Sequence, residues 1–164
     1  MSELNVGALH PVLSVCAKGA SMAAPRFITV HCSATRADQW VSAADIRRWH
    51  LARGWRDIGY HWVIERSGTL VAGRSMACEG AHVRGHNRGN IGICLVGGVD
   101  ELGAPQDNFT EDQMLVLRDL IITLSARFSI DPVCVVGHRD WLSPEDPPKS
   151  CPCFDVGFWL KNTV

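Results

Sequence analysis

The sequence lacks an excess of charge of either sign: 16 Lys and Arg stand against 17 Asp and Glu, a formal net charge of -1 with a pI near 6.6. Attraction to a polyanion by overall charge needs a basic surplus, so no nucleic-acid partner is expected on that ground, and only a local basic patch stays open. No run approaches the roughly 20 apolar residues that span a bilayer, so no stable membrane insertion is expected and the chain reads as soluble. No internal repeat, low-complexity tract or composition shift marks a second domain. Short metal signatures are missing too: there is no C-x-x-C pair, no H-E-x-x-H, and no H-x-E with a downstream P-C-x-x-C of the zinc deaminases.

What is present is a chain of 164 residues, 46% apolar, which suits one domain with a real core. Its opening stretch, MSELNVGALHPVLSVCAKGAS, holds no sustained period. Glu3 stands where a signal peptide needs a basic region, Pro11 interrupts a short apolar run, and Val15 is too large for a lipoprotein cleavage box before Cys16. Residues 1–25 are therefore expected to form a loosely ordered extension, with Met22 available as an alternative start, and 26–164 the folded domain. Seven cysteines, an odd number without an export signal, predict thiols kept reduced rather than a disulfide framework. Cys32, Cys94 and Cys134 lie in apolar runs and are expected in the core, whereas Cys151 and Cys153 lie outside any such run.

RFITVHC, from Arg26, reads as a buried strand because β-branched and aromatic residues cluster there, and its alternation sends His31 and Cys32 to opposite faces. SAADIRRWHLARG reads as a helix, with Ser42 as N-cap, Asp45 at the capping-box position and Gly54 as terminator. HWVIERSGTLVAG gives two strands joined at Ser67-Gly68, and NIGICLVGG, from Asn90, gives another. Between these, EGAHVRGHNRG is a loop by composition. A long amphipathic helix follows Thr110, with Gln113 completing a capping box and Met114, Leu117, Leu120, Ile121, Leu124 and Phe128 on one face. VCVVG is a last strand with His138 at its exit, before a short terminal helix containing Phe158 and Trp159. Strands and helices alternating around one hairpin predict an α/β single domain with a central mixed β-sheet flanked by helices.

PPKSCPCFD, Pro147 to Asp155, cannot be helix interior or central strand, because prolines fix φ and remove donors; a rigid loop is expected. Zinc takes imidazole and thiolate, and catalytic sites leave a fourth position for water, which makes His31, His138 and Cys151 candidate ligands. Spacing alone does not select this set over the ordinary alternative, in which strand-end histidines are hydrogen-bonded structural residues. Residues so far apart in sequence meet only through the tertiary fold.

The stretches ITVHCSAT, DIRRWHLARGWRDIGYHWVIERSGTLVAGR, GAHVRGHNRGNIGICLVGG, NFTEDQMLVL, VVGHRDW and PKSCPCFD, in that order from about Arg26 to Asp155, resemble the type-2 N-acetylmuramoyl-L-alanine amidases. That family includes short phage endolysins and is related to the peptidoglycan recognition proteins. The resemblance implies one zinc ion held by His31, His138 and Cys151, with Tyr60 and Lys149 in catalytic positions. It implies hydrolysis of the amide between the lactyl group of N-acetylmuramic acid and L-alanine in peptidoglycan. His82 matches a groove-lining histidine and is expected, with Asn90, to contact substrate; His86 and Arg84 are further candidates in the same loop.

Cys153 departs from the family pattern and competes with Cys151 as ligand, although K-x-C-P aligns with Cys151 and leaves Cys153 as a packed thiol. His50 is expected to be a structural or surface residue, His61 to pack under the sheet, and Trp40, Trp55 and Trp141 to pack in the core or stack on sugar faces. Two other functions stay in view: a non-catalytic peptidoglycan-binding domain, and an amidase that also binds its phage's RNA polymerase. An endolysin of this kind would be a monomer, cytoplasmic until a membrane lesion lets it reach the wall.

Overall fold

A computed structural model describes residue 16, residues 20–143 and residues 145–163. The central sheet has five strands in the order β4-β3-β5-β1-β7. They are β1 (Phe27–Cys32), β3 (Trp62–Ile64), β4 (Leu70–Ala72), β5 (Asn90–Leu95) and β7 (Val135–Gly137). Only β3 and β4 run antiparallel, and the other pairs are parallel. The mixed α/β single domain expected from the sequence is the one observed. Interior parallel strands are covered on both faces, which is why β5 is buried at every position and reads as an unbroken run. A separate pair, β2 (Thr35–Arg36) with β6 (Gly98–Val99), extends one end.

The β3–β4 turn closes at Ser67-Gly68, where Gly68 has φ +79 and a Cβ would stand 2.9 Å from Asp112 Cβ. Only glycine satisfies both demands. Register places Val30 opposite Ile93 and Gly137, so even-numbered residues of β1 share a face with odd-numbered residues of β5. Ile28, Val30, Ile91, Ile93 and Leu95 face a core completed by Leu117, Leu120, Ile121 and Leu124 of α2 (Glu111–Phe128) and by Val156 and Leu160 of α3 (Val156–Lys161). Each such aliphatic burial stabilises the fold by about 1.5–3 kcal/mol.

α2 starts where the capping box predicts, with Gln113 N donating to the Thr110 hydroxyl and Thr110 N donating to Gln113 Oε1. Gln113 is fully buried, and its Nε2 donates to the carbonyls of Ile64 and Val96, which pins the helix start to the ends of β3 and β5. On the other sheet face α1 (Ala43–Ala52), capped by Ser42 and Asp45, buries Ala43 and Ile46 against Ile58, Val63 and Cys94.

Two expectations need revision. Cys134 is half-buried in a 3-10 turn, Pro132–Cys134, because Asp131 caps Val133 N and Pro132 opens a turn there; β7 begins one residue later. Cys16 and Cys78 form a disulfide with Cα atoms 5.3 Å apart, which corrects the expectation of reduced thiols throughout. Pairing across 62 residues is a tertiary fact that cysteine counting cannot supply. Within the expected loose extension, Met22 N donates to Ala77 O at 2.8 Å and Glu79 N to Ala20 O at 2.9 Å, so residues 20–22 are tied to the domain. Residues 1–15 and 17–19 of that extension lie outside the described residues.

Candidate metal centre

The carboxyl ends of β1 and β7 lie side by side, and in open α/β sheets ligands gather at such ends. His31 is the penultimate residue of β1 and His138 follows β7 directly. The third group arrives on the proline-rich loop, which is fastened beside them: Arg139 N donates to Cys151 O at 2.9 Å, and Cys32 N donates to Cys151 Sγ at 3.2 Å. A Cβ on Gly137 would stand 2.8 Å from Pro152 Cδ, so glycine there lets the loop lie against the strand. Ligand atoms of His31, His138 and Cys151 all fall within 4.8 Å of one another, with Cys151 Sγ 4.0 Å from His31 Nδ1. Donors on one zinc ion sit about 3.5 Å apart, given Zn–S near 2.3 Å and Zn–N near 2.0–2.1 Å, so small inward movements suffice.

Protonation suits the same purpose. Burial, reinforced by His82, His138 and Lys149, holds His31 well below its ordinary pKa. Burial and then Lys149 lower His138 to about 4. Both imidazoles are therefore neutral near pH 7 and offer lone pairs. Two neutral nitrogens and one sulfur leave a bound divalent cation with net positive charge and room for a further ligand, so the donor set fits zinc.

Tyr60 stands beside the cluster, its ring centroid 5.1 Å from that of His31. Its backbone is set by Arg74, whose N donates to Tyr60 O and whose guanidinium reaches the carbonyls of Asp57, Ile58 and Glu79. Gly59 N donates to His50 Nδ1, so buried His50 supports the same segment, as expected of a structural residue. Burial raises the Tyr60 pKa well above its usual value, so the hydroxyl keeps its proton and can donate it in a hydrogen bond. Lys149 is exposed, and its charge contributes to lowering both His31 and His138.

Cys153 turns elsewhere. Its Sγ donates to Gly98 O at 3.1 Å and lies 4.0 Å from Cys32 Sγ, outside the cluster of ligand atoms. Cys32 faces opposite to His31, as alternation requires.

The expected substrate contacts of His82 and Asn90 meet a different geometry. His82 is buried, with Nε2 3.1 Å from Asn90 O and Nδ1 3.0 Å from His31 Nε2. Asn90 is fully buried; its Oδ1 accepts from Thr29 Oγ1 and its Nδ2 donates to His86 O. Thr29 Oγ1 in turn accepts from Trp141 Nε1, and the exposed His86 ring stacks on Trp141 at 4.7 Å. Trp40 and Trp55 are exposed, and Arg84 is exposed in the loop. The contact between His82 and His31 was not anticipated. Its one trace in the sequence is Gly92 inside a strand, where glycine often marks close approach by another group.

The N-acetylmuramoyl-L-alanine amidase family profile (Amidase_2) matches residues 21–154. The endolysin of Escherichia phage T7 is 45% identical over 138 residues, covering 84% of this chain and 87% of that protein. The endolysin of Klebsiella phage KP32 is 44% identical over the same length and coverage. Among solved structures, the endolysin amidase LysCS from Clostridium intestinale superposes with a TM-score of 0.65 at 28% identity, covering 79% of this chain and 75% of its own. With the family profile matching most of the chain and an endolysin 45% identical across 84% of it, the chain belongs to the type-2 N-acetylmuramoyl-L-alanine amidase family.

Proposed function

We propose that the protein is a zinc-dependent N-acetylmuramoyl-L-alanine amidase that cuts the amide between the lactyl group of N-acetylmuramic acid and L-alanine in peptidoglycan, serving as a phage or prophage endolysin. The observation that carries this reading is the convergence of His31, His138 and Cys151 within 4.8 Å, from two strand ends and a separate loop. Zn2+ held by these residues would supply a Lewis acid and a water acidified towards pKa ~7. The protein's own groups do the rest. Neutral His31 and His138, together with Cys151, would hold and orient the ion. The Tyr60 hydroxyl, kept protonated, donates to the carbonyl oxygen as charge builds there or passes its proton towards the leaving amine. The Lys149 ammonium meets the same developing negative charge.

A recognition domain without catalysis is the weaker reading, because the thiol that completes the ligand set is present as Cys151. As an endolysin the chain would act on the wall once the inner membrane is permeabilised. Digesting purified peptidoglycan and weighing the products tests the assignment: free L-alanine amino termini and intact glycan strands are expected, and their formation should cease after chelation and return with zinc. Full activity in metal-free protein refutes the zinc requirement, and glycan cleavage refutes the amidase.

A further inference from the structure

The buried contact between His31 and His82 fixes where protons reside. A backbone carbonyl only accepts, so His82 Nε2, 3.1 Å from Asn90 O, carries the ring proton and leaves Nδ1 bare. That bare nitrogen lies 3.0 Å from His31 Nε2, which must donate to it. His31 Nδ1 is then left without a proton, and this is the atom that faces Cys151 Sγ.

The His82 ring has little room to adopt another pose. A Cβ on Gly80 would lie 2.4 Å from His82 Cδ2, and one on Gly92 would lie 2.6 Å from the same atom. The ring sits edge-on to His31, 89° between planes, and its backbone N is held by Asn87 Oδ1 at 2.8 Å. The Gly92 wall is itself fastened, since Gly92 N donates to His61 Nδ1 and His61 Nε2 donates to Cys78 O, each at 3.0 Å.

We propose that His82, seated between Gly80 and Gly92, is a positioning residue that holds His31 in the tautomer with Nδ1 bare and aims that nitrogen at a divalent cation, rather than a groove residue that touches substrate. This rests on the metal reading given under Proposed function. Partners that hydrogen-bond the far nitrogen of a metal-ligating histidine fix its orientation, and losing one typically weakens metal affinity about 10–100-fold.

Competition between the protein and a chromophoric chelator for Zn2+ tests the idea. His82→Leu fills similar space without an acceptor and should weaken zinc binding about 10–100-fold. His82→Gln, whose amide can accept from His31 and donate to Asn90 O, should remain within a few-fold of wild type. The visible spectrum of the Co2+-loaded protein should change in His82→Leu and be preserved in His82→Gln. Should His82→Leu not fold, nitrogen-15 NMR of metal-free wild type reads the His31 tautomer directly: a proton on Nε2 is expected, and one on Nδ1 overturns the proposal. Zinc affinity unchanged in folded His82→Leu, with only KM for wall substrate raised, overturns it in favour of a groove contact. A wild-type protein that takes up no zinc overturns the metal reading and this inference together; one that takes it up with His82→Leu equally tight overturns this inference alone.

Discussion

On one face of the central sheet, Ile28 and Val30 of β1 and Ile91, Ile93 and Leu95 of β5 close against α2 and α3 as an apolar layer. On the other face the same two strands present Thr29, His31, Asn90, Gly92 and Cys94, all but the last joined in or bordering a buried hydrogen-bond network. Both faces are equally dry, but they are held by different physics. The first is non-directional and rewards volume and shape. The second depends on donors and acceptors being matched, because a buried polar atom left alone costs about 1–3 kcal/mol. Changes on the first face should therefore act on stability alone, and changes on the second on metal binding and catalysis as well as on stability.

The comparison breaks first at its apolar side. Leu117→Ala, at a fully buried position of α2, is expected to cost about 2–5 kcal/mol in urea unfolding while activity per folded molecule is retained. If activity fell in step with stability, the two faces would not be separable. Lys149→Met, at an exposed loop position, should do the reverse. If Lys149 meets the developing oxyanion as proposed, its loss predicts a 100- to 1,000-fold fall in kcat/KM, with the unfolding midpoint unmoved.

A pH series sharpens the polar side. Burial lowers His61 to about 4, so between the ordinary value near 6.5 and about 4 the unfolded chain takes up a proton that the folded one refuses. Stability should therefore be unaffected by His61 above pH ~6.5 and fall as pH drops below it, by up to about 1.4 kcal/mol per pH unit from this residue. Unfolding curves of wild type and His61→Gln at pH 7 and pH 5 should differ by that loss; parallel curves would contradict it. The smallest effect belongs to a helix end, where Thr110→Ala should cost about 1 kcal/mol through the lost cap on α2 and leave zinc affinity unchanged.

The same two faces explain what the sequence made legible. Both capping boxes, Ser42 with Asp45 and Thr110 with Gln113, and the Ser67-Gly68 turn are local, and each was readable because its partners are at most a few residues apart. The apolar face of α2 announced itself by spacing. His31 and Cys151 are 120 residues apart, and no local rule brings them together; only likeness to a family with that ligand pattern singled them out. The pairing of Cys16 with Cys78 and the contact between His82 and His31 lay deeper still, since both depend on which loops meet over the sheet. In one dimension a buried histidine that orients a ligand looks the same as one that binds substrate.

Two imidazoles and one thiolate are proposed to share a single zinc ion. Zinc-edge X-ray absorption on the purified protein tests it most directly. One sulfur near 2.3 Å and two imidazole nitrogens near 2.0–2.1 Å per zinc are expected, with the sulfur shell lost in Cys151→Ala. A shell without sulfur in wild type, or one unchanged by Cys151→Ala, would contradict it.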